Sequence, residues 1–240
     1  MVTKLEITVP QVRQTFQNFS TPSKKASNIK LIQEINKNYG SICDRWGDLF
    51  EIDKEVLIAF IATESAGNKD AISFVGCCFG LMQVSPASVF EVANKFKRGT
   101  GVDLPQEVTN ELRKIPNLLG ARTFSTATSG AIRRKLFDAN FNIMCGTMIL
   151  RWLLERFSTF LTGAQLNKAI VGYNAGAYVG GINISSTQPI KTPIDTTSLV
   201  SSGYLLEGKR RSIPSETRNY LVKMLGVDGF LSLIYKDKAI

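Results

Sequence analysis

The feature that most constrains the fold is the apolar run VLIAFIA at residues 56–62. It is far shorter than the roughly 18 apolar residues of a membrane-spanning helix, so it suits a helix buried inside a folded domain. Asp53 lies just ahead of the run and belongs to the residue types favoured as helix N-caps. The pattern therefore predicts a buried helix from Asp53 to about Ser65.

Glu64 brings a carboxyl group to the end of this apolar helix. It shares a helical face with Leu57, Phe60 and Ile61, which precede it by seven, four and three residues. Apolar surroundings disfavour a charged carboxylate and raise its pKa, and a carboxyl that stays protonated in a cleft is a general acid. Glycosidic bond cleavage is the reaction that most often needs one. The alternative is that Glu64 merely ends the helix in water.

The histidine and cysteine content narrows the chemistry. The chain has no histidine, which excludes sites built on Ser-His-Asp or Cys-His pairs. The four cysteines lack the CxxC-type spacing of a zinc site, and we interpret all of them as small hydrophobic residues of the structure. Neither a metal nor a cofactor is predicted, and acid-base chemistry falls to carboxylates, Lys, Tyr or Cys. The cysteines are Cys43, Cys77, Cys78 and Cys145.

Helical patterns recur along the chain, whereas strand alternation is hardly seen. Residues 1–27 read as an irregular polar arm, and residues 183–203 as a long loop. The remainder predicts an all-α domain with long loops over residues 28–240. Besides the helix at 53–65, the predicted helices are 28–46, 138–157, 162–173 (opened by a capping box at Thr162 to Gln165 and stopped by Gly176) and 216–225 (closed by Gly226).

The charge of the chain is strongly positive, with a formal net charge of +9. Such an excess favours polyanionic partners: nucleic acid, an anionic membrane surface or acidic wall polymers. The basic residues are not interleaved with aromatic residues and match no nucleic-acid-binding motif, so no specific nucleic-acid partner is predicted. More than half of the excess lies between residues 91 and 135, in Lys95, Lys97, Arg98, Arg113, Lys114, Arg122, Arg133, Arg134 and Lys135.

Four short motifs follow one another along residues 29–225, and together they resemble a known family. In order they are Glu64-Ser65 with Ser73 and Gly76, then Gly80-Leu81-Met82-Gln83 with Pro86, then Tyr173-Asn174-Ala175-Gly176, and finally Pro-x-Glu-Thr-Arg-x-Tyr at 214–220. The chain resembles the soluble-lytic-type (family 1) lytic transglycosylases, to which goose-type lysozymes are related. The resemblance implies a lysozyme-like helical fold.

The resemblance also implies roles for individual residues. Glu64 is the expected catalytic residue. The residues expected to bind substrate are Ser73, Gln83, Tyr173, Asn174 and Tyr220. Gly76 and Gly80 are expected to let the backbone turn sharply. Structural roles remain as alternatives for two of them: Ser73 also fits the pattern of a turn residue, and Tyr220 fits that of a packed aromatic residue.

The sequence departs from the family pattern in two places. The span after Pro86 is longer than usual, which predicts a basic insert at about 91–136 that forms an extra lobe or lid. Cys77-Cys78-Phe79 replaces the small residues common before the Gly-Leu-Met-Gln motif. Neither departure removes a catalytic group.

The function implied by the resemblance is peptidoglycan degradation. A lytic transglycosylase cleaves the MurNAc-β-1,4-GlcNAc bond and leaves 1,6-anhydro-MurNAc, without consuming water. One alternative is a muramidase that uses water with the same Glu64, in which Asp70 orients the water, although Asp70 fits a solvated turn residue better. The other is a non-catalytic structural protein of a virion.

The amino-terminal segment shows no secretory signal, which predicts synthesis in a cytoplasm and action on the bacterial cell wall. A wall-cleaving enzyme of this kind resembles a bacteriophage endolysin or a virion component. The expected partners are peptidoglycan glycan strands, an anionic envelope surface bound through the basic insert, and other virion proteins.

Overall fold

A computed structural model describes residues 22–158, 169–170, 172–174, 204–206, 209–211, 215–226, 228–237 and 240. The chain divides into two compact units, one containing Lys30–Trp152 and the other containing residues 22–29 together with the described residues from Leu153 to 237. The structure is mostly helical, which confirms the predicted all-α class. No helix among the described residues is long and apolar enough to cross a membrane.

Six helices make up most of the described chain up to residue 158. Helix α3 shows why they form where they do: Ser85 caps its amino end by accepting from the Ser88 N–H, Pro86 occupies the first turn, and Gly101 ends it at φ 77°. The helices are α1 (Pro22–Phe50), α2 (Lys54–Glu64), α3 (Pro86–Thr100), α4 (Gln106–Arg113), α5 (Thr126–Lys135) and α6 (Ala139–Ser158).

Helix α2 is deeply buried, since residues 56–63 are all buried. A helix that is apolar on every side has to be covered on every side. Each large side chain moved out of water here contributes roughly 1.5–3 kcal/mol to folding. The predicted helix from Asp53 to about Ser65 is confirmed, with Asp53 and Ser65 as its flanking cap residues.

Polar contacts join α1 to α6 around the end of α1. Nε1 of Trp46 donates to Oδ1 of Asn140 at 2.9 Å. The buried guanidinium of Arg151 donates to the carbonyl oxygen of Phe50 at 2.8 Å and to the Glu51 carboxylate at 3.1 Å. A cation at this position satisfies a terminal carbonyl and complements the negative end of the helix dipole.

The described part of the second unit includes two longer helices and a small hairpin. The strands β1 (Tyr204–Leu206) and β2 (Lys209–Arg211) pair antiparallel, with Leu205 opposite Arg210. Helices α7 (Ser215–Leu225) and α8 (Phe230–Asp237) pack against each other. Their buried residues include Leu221, Met224, Leu231 and Leu233.

Most predicted helices are confirmed, with shifted ends. The patterns at 28–46, 138–157 and 216–225 correspond to α1, α6 and α7. The prediction of an irregular arm is wrong for residues 22–27, which are helical. The hairpin was not predicted. Residues 1–21, the capping box at 162–165, Gly176 and the loop at 183–203 lie outside the described residues.

Candidate active site

Glu64 is the last residue of α2, and its side chain is partly exposed. Leu57, Phe60 and Ile61 on the same face are fully buried, which confirms the apolar neighbourhood. Two successive left-handed residues, Ala66 at φ 51° and Gly67 at φ 78°, turn the chain away directly afterwards. The helix thus carries a carboxyl group from the core to the surface, while the raised pKa stays a prediction.

A tight loop of residues 71–84, here called the glycine loop, follows Glu64 in the chain. The Gly80 N–H donates to the Ala71 carbonyl at 2.8 Å, and Phe79 and Val84 exchange two backbone hydrogen bonds at 3.0 Å. Gly76 and Gly80 have φ values of 67° and 74°, as their expected role in sharp turns requires. The loop therefore has a defined backbone.

Asn142 on α6 holds the glycine loop in place through hydrogen bonds to its backbone. Its side chain is fully buried and accepts from the Met82 N–H at 2.8 Å. Its amide group donates to the carbonyl oxygens of Phe79 and Leu136, also at 2.8 Å. Sequence reasoning missed this residue, although an asparagine inside an apolar helix needs buried partners and is itself a signal.

Glycines permit the close approach between the loop and α6. A Cβ added to Gly80 would lie 2.2 Å from Nδ2 of Asn142 and 2.4 Å from the Leu136 carbonyl oxygen. A Cβ added to Gly146 would lie 2.4 Å from the sulfur of Met82. Both distances are far inside van der Waals contact, so a larger residue at Gly80 has to displace the loop or the helix, and one at Gly146 has to displace the Met82 side chain.

Ser73 and Gln83 both stabilise the loop that contains them. The Ser73 hydroxyl accepts from the backbone N–H groups of Cys77 and Cys78, each at 3.1 Å, as a turn residue does. The Gln83 amide nitrogen donates to the carbonyl oxygens of Ala71 at 3.1 Å and Gly80 at 2.9 Å. Substrate binding by Ser73 or Gln83 stays a prediction. Because the Gln83 amide nitrogen already donates to two carbonyl groups, the amide oxygen is the atom of that side chain we expect to contact the substrate.

Cys78 in the glycine loop lies within the electrostatic field of the Glu64 carboxylate. Burial first, and then the hydrogen bond between the Cys77 and Cys78 thiols and the negative charges of Cys77 and Glu64, raise the pKa of Cys78 to about 12. Cys43 and Cys145 are buried, as expected for small core residues. Cys77 is exposed, so the interpretation as a small hydrophobic residue of the structure is wrong for Cys77.

Residues 41–113 match the family model of the transglycosylase SLT domain. This SLT segment is less than a third of the 240 residues and includes α2, the glycine loop, α3 and α4. It supports a lysozyme-like lytic transglycosylase type and indicates peptidoglycan degradation, with the cell wall as the place of action. No curated protein matches the chain.

The SLT segment contains three of the predicted site residues: Glu64, Ser73 and Gln83. The other three belong to the second unit. Tyr173 and Asn174 lie in a helical stretch and are partly exposed, and Tyr220 on α7 is 6% exposed, as a packed aromatic residue would be. The roles of these three toward substrate stay predictions.

Asp70, the other acid of this region of the SLT segment, is a surface residue. Its side chain is 63% exposed and forms an ion pair with Lys69 at 2.8 Å. The hydrogen bond from Lys69 to Asp70 raises the pKa of that lysine. These contacts agree with a solvated turn residue. Among the described residues, no group of three or more His, Cys, Asp or Glu side chains is placed to hold a metal ion.

The predicted basic insert folds into helices. The SLT segment includes its first part, up to Arg113, and its boundaries and lid role stay predictions. Lys95, Lys97 and Lys114 pair with acids, and the Arg133 guanidinium lies 4.9 Å from the centre of the Phe79 ring. Arg134 and Lys135 at the end of α5 are exposed and form no ion pair within the described residues.

Proposed function

We propose that the protein is a peptidoglycan lytic transglycosylase of the soluble-lytic type (family 1) with Glu64 as its catalytic residue. The observation that carries this proposal is the position of Glu64 within the SLT segment: it is partly exposed at the end of the buried helix α2, and the glycine loop begins seven residues later. A helix packed on all sides holds such a group rigidly, as acid-base catalysis requires.

In the proposed reaction Glu64 acts twice. As an acid it protonates the oxygen of the MurNAc-β-1,4-GlcNAc bond, and the N-acetylglucosamine leaves. The acetamido carbonyl of MurNAc stabilises the oxocarbenium-like centre at C1. Glu64, now a carboxylate, takes the proton from the C6 hydroxyl of the same sugar, whose oxygen closes on C1 to give 1,6-anhydro-MurNAc. The two products together contain all the atoms of the substrate, so no water is consumed.

The reaction needs one carboxylate, whereas hydrolysis usually needs a second one as nucleophile or base. The exposed ion pair of Asp70 with Lys69 makes Asp70 a poor candidate for that second group. For substrate binding we propose the hydroxyl of Ser73, the amide oxygen of Gln83, Tyr173, Asn174 and Tyr220, on the strength of the motif resemblance. The alternative is a muramidase that uses water with the same Glu64, and the reaction product distinguishes the two enzymes.

We further propose that the protein serves a bacteriophage in lysis or penetration of the host wall. The support is the resemblance together with the net charge of +9, which suits the anionic envelope on which such an enzyme acts. Its binding partners would be glycan strands and the envelope surface, with other virion proteins if it is carried in the particle.

Counting reducing ends during digestion of purified sacculi tests the proposed reaction. The turbidity of the suspension falls while the number of reducing ends stays constant, because the anhydro product has no free hemiacetal at C1. A rise in reducing ends in proportion to the bonds cleaved would contradict the transglycosylase proposal and support a muramidase. Intact turbidity with folded protein would contradict both.

The exposed cations at the end of α5 provide a second test, on wall binding. Arg134→Glu combined with Lys135→Glu weakens binding to whole sacculi, because two attractive charges are reversed. It also flattens the salt dependence of binding, because salt screens exposed charges beyond roughly 8 Å and less of this attraction remains to be screened. Arg133 is left intact because it contacts the Phe79 ring. Cosedimentation at several salt concentrations measures the effect, and cleavage of short soluble glycans stays unchanged.

The matched control is Lys30→Glu with Lys37→Glu, two exposed positions on α1 that give the same change in net charge. An equal loss of binding in both double variants would show that only the total charge matters. Equal losses on sacculi and on soluble glycans would mean that this part of the chain shapes the cleft. Tight duplex DNA binding with a steep salt dependence would instead favour a nucleic-acid partner.

A further inference from the structure

Two adjacent thiols lie in the glycine loop that follows Glu64. The sulfur atoms of Cys77 and Cys78 are 3.2 Å apart. Cys77 is exposed and Cys78 partly buried, whereas Cys43 and Cys145 are both in the core. Phe74 and Val75 at the tip of the same loop are also exposed, so a solute can reach the pair from water.

We propose that Cys77 and Cys78 form a redox-modification site, which a low-molecular-weight disulfide converts to a disulfide between the two neighbours, and that this closure disables the Glu64 site. The effect on activity rests on the proposed function. The modification itself does not, because it depends only on the two thiols and their surroundings.

The chemistry is ordinary thiol-disulfide exchange in two steps. The exposed Cys77 thiolate attacks one sulfur of the small disulfide, forms a mixed disulfide and releases one small thiolate. Cys78 then gives its proton to solvent and attacks the Cys77 sulfur, which expels the second small thiolate. The protein loses two electrons and two protons, and the small disulfide becomes two thiols. Because burial holds the pKa of Cys78 at about 12, the second step is the slower one.

Closure has to disturb the loop, because neighbouring residues are poorly spaced for a disulfide. Consecutive Cα atoms are about 3.8 Å apart, whereas disulfides usually join Cα atoms roughly 4.4–6.8 Å apart. The resulting small ring must twist the peptide group between Cys77 and Cys78. That segment is held by Ser73, whose hydroxyl accepts from both N–H groups and whose own N–H donates to the Cys78 carbonyl at 3.0 Å.

The disturbance is transmitted along the backbone of the glycine loop. Phe79 comes directly after the pair and exchanges two hydrogen bonds with Val84, and its carbonyl accepts from Asn142. The charge of Glu64 already reaches Cys78, so the ring would form within the electrostatic field of the catalytic carboxylate. Strained or exposed disulfides are the readily reduced ones, which makes the change reversible.

The test treats the full chain with 2,2′-dithiodipyridine, a small disulfide, and then with dithiothreitol. Tryptic peptide mapping separates the cysteines: residues 70–95 carry only Cys77 and Cys78, while Cys43 and Cys145 fall in the peptides 38–45 and 136–151. We expect peptide 70–95 to lose two hydrogen atoms. Sacculus clearing falls at least about ten-fold, as misplacement of a catalytic group implies, and returns on reduction.

The controls are Cys78→Ser and the double variant Cys77→Ser with Cys78→Ser. Cys78→Ser stops at the mixed disulfide on Cys77, and the double variant keeps its activity in oxidant. A wild-type peptide 70–95 that carries only a mixed disulfide would overturn the dithiol site. A closed ring with unchanged clearing would overturn its control over Glu64. If the reduced protein shows no clearing at all, the proposed function fails, while the mass result still decides the site.

Discussion

Glu64→Gln lowers the rate of peptidoglycan clearing by at least ~10²-fold, because the amide has nearly the shape of the carboxyl group but can neither give nor take the proton of general acid-base catalysis. The fold survives, since the side chain is partly exposed and the packing of α2 depends on residues 56–63. Turbidity loss of a sacculus suspension and the far-ultraviolet circular dichroism of the variant measure the two parts of this result.

Glu55→Gln is the matched control, since Glu55 lies in the first turn of the same helix. It removes a charge that complements the helix dipole, worth about 0.3–1 kcal/mol of stability, and leaves clearing unchanged. Near-parental clearing by folded Glu64→Gln protein would show that the catalytic residue lies elsewhere. A comparable loss in Glu55→Gln would show that the effect comes from stability.

Asn142→Leu unfolds the protein at a temperature lower by roughly 10 °C, since two buried backbone groups lose their partner and each unsatisfied group costs about 1–3 kcal/mol. These groups are the Met82 N–H and the Leu136 carbonyl oxygen, while the Phe79 carbonyl oxygen keeps its hydrogen bond from the Val84 N–H. The glycine loop also loses its position, so the folded variant clears sacculi at least about ten-fold more slowly. Differential scanning calorimetry and clearing below the transition measure both effects.

Asn110→Leu serves as the control because Asn110 is exposed and accepts a hydrogen bond from Gln106 at the surface. Its transition temperature stays within a few degrees of the parent, as substitutions at exposed positions usually do. If Asn142→Leu were equally silent, Asn142 would not fix the loop. A destabilised Asn142→Leu variant with full activity per folded molecule would show that catalysis does not depend on how Asn142 positions the glycine loop.

The local parts of the site were predictable from the sequence. The run at 56–62 predicted α2 because a short, uninterrupted apolar segment with a capping residue ahead of it leaves few other choices. Gly76 and Gly80 were predictable as turn residues because only glycine takes positive φ values without strain. Both inferences use neighbouring residues only.

The remaining parts depend on contacts between distant residues. Asn142 binds Met82 across sixty positions, and no local pattern states which backbone groups a buried amide will meet. Arg133 was counted as part of a basic surface, although its guanidinium lies over Phe79. The hairpin at Tyr204–Arg211 was missed because its strands are three residues long, too short to show alternation, although Glu207-Gly208 between them has a glycine typical of tight turns.

Digestion of sacculi in ¹⁸O-labelled water, followed by mass spectrometry of the soluble muropeptides, tests the central claim most directly. The claim is that the C6 hydroxyl of MurNAc, and not water, closes on C1 under the control of Glu64. We expect products that end in 1,6-anhydro-MurNAc, lighter by one water than hydrolysis products, with no heavy oxygen at the new end. Reducing MurNAc ends that carry ¹⁸O would contradict the transglycosylase account and make the protein a muramidase.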